Sequence, residues 1–159
     1  MKALVWDGRP YPQGLSIRDV DRPSPPRDWV LIRNVIAGIC GSDLHMIMGR
    51  VSFPKEWLPA ILGHEVVGVV EEVGENVTEF SKGDRVAVNP LHGCRERGIM
   101  PECEFCRIGA YRLCKNLVHV GTYYPGGFGE YSIVHRTRIH KICLLYTSDA
   151  ADELDGVDL

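Results

Sequence analysis

Short runs rich in Val, Ile, Leu and Trp recur along this chain, at residues 3–6, 15–20, 29–36, 66–73, 85–88, 130–134 and 138–142, separated by Gly, Pro and charged clusters. This pattern predicts the strands of an all-β unit. Residues 22–28, RPSPPRD, hold three prolines that remove backbone donors and fix φ, so no ladder runs through them. Residues 66–73 are apolar on both faces as far as Glu71, as expected of a strand in the middle of a barrel or sandwich. That run ends in VGENVTEFSKGD, with Gly74 and Gly83 as turn residues. Residues 42–48 best fit a short helix. Many short strands with few helices predict a mainly β fold, small and closed.

Composition narrows the class. At 159 residues and 45% hydrophobic content, one domain with one buried core is expected. The opening MKALVWDGRP holds no apolar run of signal-peptide length, and no segment approaches membrane-spanning length, so a soluble, cytoplasmic protein is expected. A formal charge of -3 offers no basic footprint, which argues against nucleic acid and membrane surfaces as partners. From Cys143 the character changes to CLLYTSDAADELDGVDL, with five acidic and no basic side chains. CLLYTSDAADE resembles the conceptual translation of a transposase adapter used in preparing sequencing libraries. Residues 143–159 are therefore expected to be a non-native tail and are excluded from fold reasoning.

Six cysteines in a reducing compartment are more often metal ligands than bridges. Cys103 and Cys106 are two residues apart, a spacing that lets both sulfurs approach one tetrahedral ion. Cys114 follows after seven residues, and Cys94 precedes after eight. Four thiolates suit a closed structural zinc that would tie a lobe with little core of its own. Free thiols in a core are the alternative, which fits poorly with Arg95, Glu96, Arg97, Glu102, Glu104 and Arg107 around them. A second group is Cys40, in AGICGSDLH, with the adjacent pair His64 and Glu65, in LGHEVVG. One thiolate, one imidazole and one carboxylate leave a position open for water or substrate, as a catalytic zinc requires. Either residue alone is as readily an inert core Cys or a satisfied His.

ICGSDLHMIMG, then LGHEVVGVVEEVGENVTEFSKGDRVAV, then CEFC with its later cysteine, and finally GGFGEY, together resemble the N-terminal catalytic domain of the zinc-containing medium-chain alcohol and polyol dehydrogenases. The resemblance covers about residues 1–142. It implies a GroES-like β-barrel with short helices and a zinc-binding lobe, followed in the parent protein by a Rossmann domain absent from this chain. It also implies that Cys40 and His64 bind the catalytic zinc. Glu65 belongs to the metal site in the polyol dehydrogenase branch and stands just outside it in others. Ser42 would take the substrate hydroxyl proton, with His45 as a later member of the relay. Asp43 would hydrogen-bond the far nitrogen of His64. Helix capping by Ser42 and Asp43, and a solvent-facing His45, are the alternatives. The family spacing would place a cysteine at Met100; here the loop RERGIMPE can bring Cys94 back to the ion, and if it does not, the lobe has three thiolates and an open position.

The function implied is oxidation of a small alcohol or polyol to a carbonyl, through a zinc alkoxide and hydride transfer to NAD or NADP, in a homo-oligomeric parent. No GxGxxG fingerprint occurs. Gly127, Gly129 and Ser132 lack the third glycine and precede a strand. The isolated chain is therefore expected to have no turnover. The alternative is a non-catalytic, zinc-stabilised β-barrel that serves as an interaction module.

Overall fold

All seven expected strands form in the computed structural model, which describes residues 1–142; the expected non-native tail, 143–159, lies outside the described residues. The centre is an antiparallel pair, β3 (Trp29–Gly38) and β4 (Glu65–Val73), which exchange partners from Val30 with Val73 to Gly38 with Glu65. β8 (Tyr131–His135) flanks β3. β5 (Arg85–Val88) flanks β4 and is followed by β9 (Ile139–Lys141), giving the order β8-β3-β4-β5-β9. β4 is thus central, as its two-sided apolar pattern requires. Val30, Ile32, Val70, Val86, Val134 and Ile139 meet on one face, with Val77, Phe80 and Val120 closing over them.

The first two strands, β1 (Lys2–Trp6) and β2 (Leu15–Asp19), pair as a separate ribbon. It is tied to the segment before β8 by Leu4 N–H donating to Phe128 O at 2.8 Å and Glu130 N–H donating to Lys2 O at 3.1 Å. The expected helix appears as α1 (Gly41–Ile47), which buries Met46 against Trp6, Ala60 and Leu62. Two elements are not visible in the hydrophobic pattern: a two-residue pair, β6 (Leu91–His92) with β7 (Val118–His119), and the one-turn α2 (Glu104–Arg107). No helix among the described residues is long and apolar enough to cross a membrane.

His92 is fully buried in this frame. Its Nδ1 lies 3.1 Å from the Pro90 carbonyl, and its Nε2 accepts the His135 amide at 3.2 Å. The ring stacks on Trp29 with centroids 5.1 Å apart and planes 10° from parallel. Only the neutral ring protonated at Nδ1 satisfies both bonds, because a proton on Nε2 would face the His135 N–H. Burial pushes the His92 pKa down to about 4, against the opposing bond to Pro90. Below the unfolded value of 6.5 the unfolded chain therefore binds the proton more readily, and stability falls as pH drops toward 4. The expected loss on this account is about 3 kcal/mol across that window. His92→Phe keeps the stack but leaves the His135 amide without its acceptor, costing about 1–3 kcal/mol at pH 7. Urea unfolding from pH 7.5 to 4 should show a shallower pH slope for the variant, with a residual slope from His119 and His135, whose pKa values burial also lowers.

Candidate functional site

The end of β3 and the start of β4 are register partners, Gly38 against Glu65, so the residues just beyond them meet. A register shift between Asn34 and Ile36 bends this end of the pair. Gly38 leaves room there for the Glu65 side chain, whose carboxylate and Cβ a Cβ on residue 38 would crowd. Gly63, with φ +89, turns the chain into β4, and a Cβ on it would come 2.7 Å from the Phe128 ring. Cys40, His64 and Glu65 are brought together, with one ligand atom from each lying within 4.8 Å of the others. Glu65 is the most exposed of the three.

Asp43 joins the two backbone turns that carry these groups. Buried to 2% exposure, its carboxylate accepts the Cys40 amide at 2.9 Å and the Gly63 amide at 3.4 Å. The same Oδ1 lies 3.6 Å from His64 Nδ1. That separation exceeds a direct hydrogen bond, but it is on the ring nitrogen expected, leaving Nε2 for an ion. The capping alternative is also realised, because Asp43 bonds the backbone at the start of α1. Both can hold at once.

A cleft of about 1120 Å³ opens beside this group, and Ser42, His45 and His64 are on its wall. Phe53 and Trp57 form an apolar side, meeting edge to face at 6.0 Å. Residues 109–113, with Leu117 and His119, supply another side from the cysteine-rich lobe. His119 carried no motif in the sequence. Burial lowers its pKa, with the neighbouring His64 adding to the effect.

The four lobe cysteines converge, again within 4.8 Å of one another. Cys94, the ligand in question, is fully buried among them, so the loop RERGIMPE does return it to the group. Cys94 Sγ is 3.6 Å and Cys103 Sγ is 3.9 Å from Cys114 Sγ. These distances are far too long for disulfides, whose S–S bond is about 2.05 Å. They match the edge of a tetrahedron of sulfurs around one zinc, about 3.8 Å for Zn–S bonds of about 2.3 Å. Backbone amides of Cys106 and Lys115 lower the Cys103 pKa to about 6. Burial pushes Cys106 up to about 12 and raises Cys114 as well. Four sulfurs at these separations fit one cation among them. Asn116, which no spacing rule identifies, donates from Nδ2 to Cys94 Sγ at 3.2 Å and from its amide to Cys114 Sγ at 3.3 Å.

Glu96 departs from the expectation of a charge merely surrounding the thiols. It is 5% exposed and accepts from the Gly93 amide at 2.8 Å, Thr137 Oγ1 at 3.2 Å and Arg138 Nε at 2.8 Å. Burial alone would raise its pKa, but the Gly93 and Glu96 amides and Arg138 together hold it below the usual range. The lobe is thus fastened to the segment between β8 and β9. Nor is the lobe without apolar packing, since Ile99, Tyr111 and Leu117 press on the sulfurs.

The family model for the alcohol dehydrogenase GroES-like domain matches residues 26–143. The chain belongs to that family. Among relatives of this GroES-like domain, an NAD-dependent alcohol dehydrogenase of Sulfurisphaera tokodaii is 39% identical over 155 residues, 93% of this chain and 42% of that protein. An alcohol dehydrogenase of Escherichia coli CFT073 solved with NADH is 34% identical with a TM-score of 0.75, covering 90% of this chain and 39% of the other. The cobalt- and zinc-bound thermostable alcohol dehydrogenase of Pyrobaculum aerophilum is 30% identical with a TM-score of 0.75, covering 89% and 41%. The chain spans about two fifths of the length of the curated relatives it matches. In this GroES-like domain Asp43→Asn should keep the fold, because the amide oxygen can still accept one backbone N–H. It should weaken zinc binding at His64 about 10–100-fold, read by competition with a chromogenic chelator. Unchanged affinity would show that the carboxylate only caps α1.

Proposed function

We propose that residues 1–142 are the substrate-side domain of a zinc-dependent, NAD(P)-linked alcohol or polyol dehydrogenase whose dinucleotide-binding domain belongs to a longer parent protein. The observation that carries this reading is the pairing of two unlike donor groups in one domain: four crowded sulfurs, and Cys40, His64 and Glu65 with His64 on the wall of a cleft. The second group has too few protein donors to close a tetrahedron with sulfur alone, which suits substrate access. An interaction module stabilised by metal would need only the first.

Bound zinc supplies Lewis acidity at the substrate oxygen, and a nicotinamide cofactor supplies the acceptor for the hydride. The chain's own residues do the rest. Asp43, 3.6 Å from His64 Nδ1, orients the ring electrostatically. Phe53 and Trp57 exclude water from one side of the cleft. Ser42 accepts the hydroxyl proton, and His45, on the same wall, returns it to solvent. The relatives named above as NAD-dependent, NADH-bound and zinc-bound support the same cofactors here.

Metal analysis of the purified chain should give two equivalents of zinc, and Cys40→Ser and Cys106→Ser should each lose one. A single equivalent in the unaltered chain, or its complete retention in Cys40→Ser, would contradict the two-centre reading. The 159-residue chain alone should show no NAD(P)-dependent oxidation across a panel of alcohols. Clear turnover would contradict the division of labour between two domains.

A further inference from the structure

The cleft beside His64 is lined by Arg112, Arg138 and three histidines, with no aspartate or glutamate on its wall among the described residues. Arg138 is already neutralised, 2.7 Å from buried Glu96. Arg112 is not paired with a carboxylate among the described residues. Of the nearby lobe acids, Glu96 holds Arg138 and Glu104 holds Lys115 at 2.5 Å. The Arg112 backbone is fixed in the turn Tyr111–Leu113, where Leu113 N–H donates to Ala110 O at 2.9 Å and Cys114 N–H donates to Tyr111 O at 3.1 Å. Cys106 and Cys114, which bracket that turn, both belong to the sulfur group. Tyr111 is also covered by the Arg138 guanidinium at 5.4 Å. Among the described residues the cleft therefore presents one guanidinium without a carboxylate partner, from an anchored segment, in the same cavity as Phe53, Trp57 and His64. His119 lies in the same lining.

We propose that this cleft takes an alcohol bearing an anionic substituent, a phosphate ester or a carboxylate, which Arg112 pairs while the reacting hydroxyl is presented at His64. The proposal rests on the dehydrogenase reading and deepens it by naming the substrate class. A guanidinium binds phosphate and carboxylate through paired N–H donors, so a neutral polyol would leave it with water as its only partner. The same chemistry could be met by a phosphate of a dinucleotide, so the test must separate the two.

The zinc-loaded chain, isotopically labelled, would be titrated with sn-glycerol 3-phosphate, glycerol and NADP, following its amide and imidazole signals by NMR. Glycerol 3-phosphate should bind at least tenfold more tightly than glycerol and perturb His64 and His119. Arg112→Ala should remove that preference, and Arg112→Lys should restore part of it. Arg112 is exposed, so these changes leave the core alone. Equal affinity for the two glycerols, or a preference that survives Arg112→Ala, would overturn the proposal. Arg112-dependent binding of NADP without binding of glycerol 3-phosphate would also overturn it, by assigning the guanidinium to the cofactor. Zinc content measured on the same samples keeps the readings apart. Full zinc with no anion preference sinks only this inference. An anion preference with no zinc at Cys40 sinks the dehydrogenase reading and, with it, this inference.

Discussion

Four sulfurs that would repel one another as thiolates are held together by a positive charge among them, and this constraint shapes the cysteine-rich lobe. Cys94, Cys103, Cys106 and Cys114 come from a segment with one helical turn and little regular structure. Their mutual approach, the amides aimed at them and the apolar side chains pressed on them make sense together only around a cation. Because the same segment forms one side of the cleft, the sulfur group and the cleft are parts of one lobe.

The second donor group is assembled in another way. Its residues ride on the ends of two paired strands, and the register of β3 on β4 decides that Cys40 faces His64 and Glu65. The Asp43 carboxylate then joins the two turns through backbone amides while standing beside the imidazole. One group is four sulfurs, three of them buried; the other has a half-buried imidazole on the wall of a cavity and an exposed carboxylate next to it in sequence. Burial and donor type thus set the two groups apart within a single β domain.

Much of this was legible in the sequence because the signals are local. Strand periodicity placed every long strand within two residues of its observed ends, and Cys-x-x-Cys spacing found the lobe. What was missed depends on contacts far apart in the chain. Glu96 reads as a surface charge until Arg138, from the other end of the domain, folds onto it. His92 reads as one more polar residue, yet its neighbours Trp29 and His135 come from the central sheet. Asn116 and His119 act through position rather than through a motif. Pairs as short as β6 with β7 carry no periodicity at all. The place of Cys94 was open for the same reason, since only the folded loop shows that a cysteine six positions from the family's usual one reaches the same point.

The central claim is that the domain holds two zinc ions with different donor sets, and X-ray absorption at the zinc edge tests it most directly. The unaltered chain should show a mixed shell, with sulfur at about 2.3 Å and nitrogen or oxygen at about 2.0–2.1 Å. The Cys40→Ser chain should show sulfur alone, at the longer distance. An unaltered chain with sulfur as its only scatterer, or a Cys40→Ser spectrum identical to it, would contradict the account.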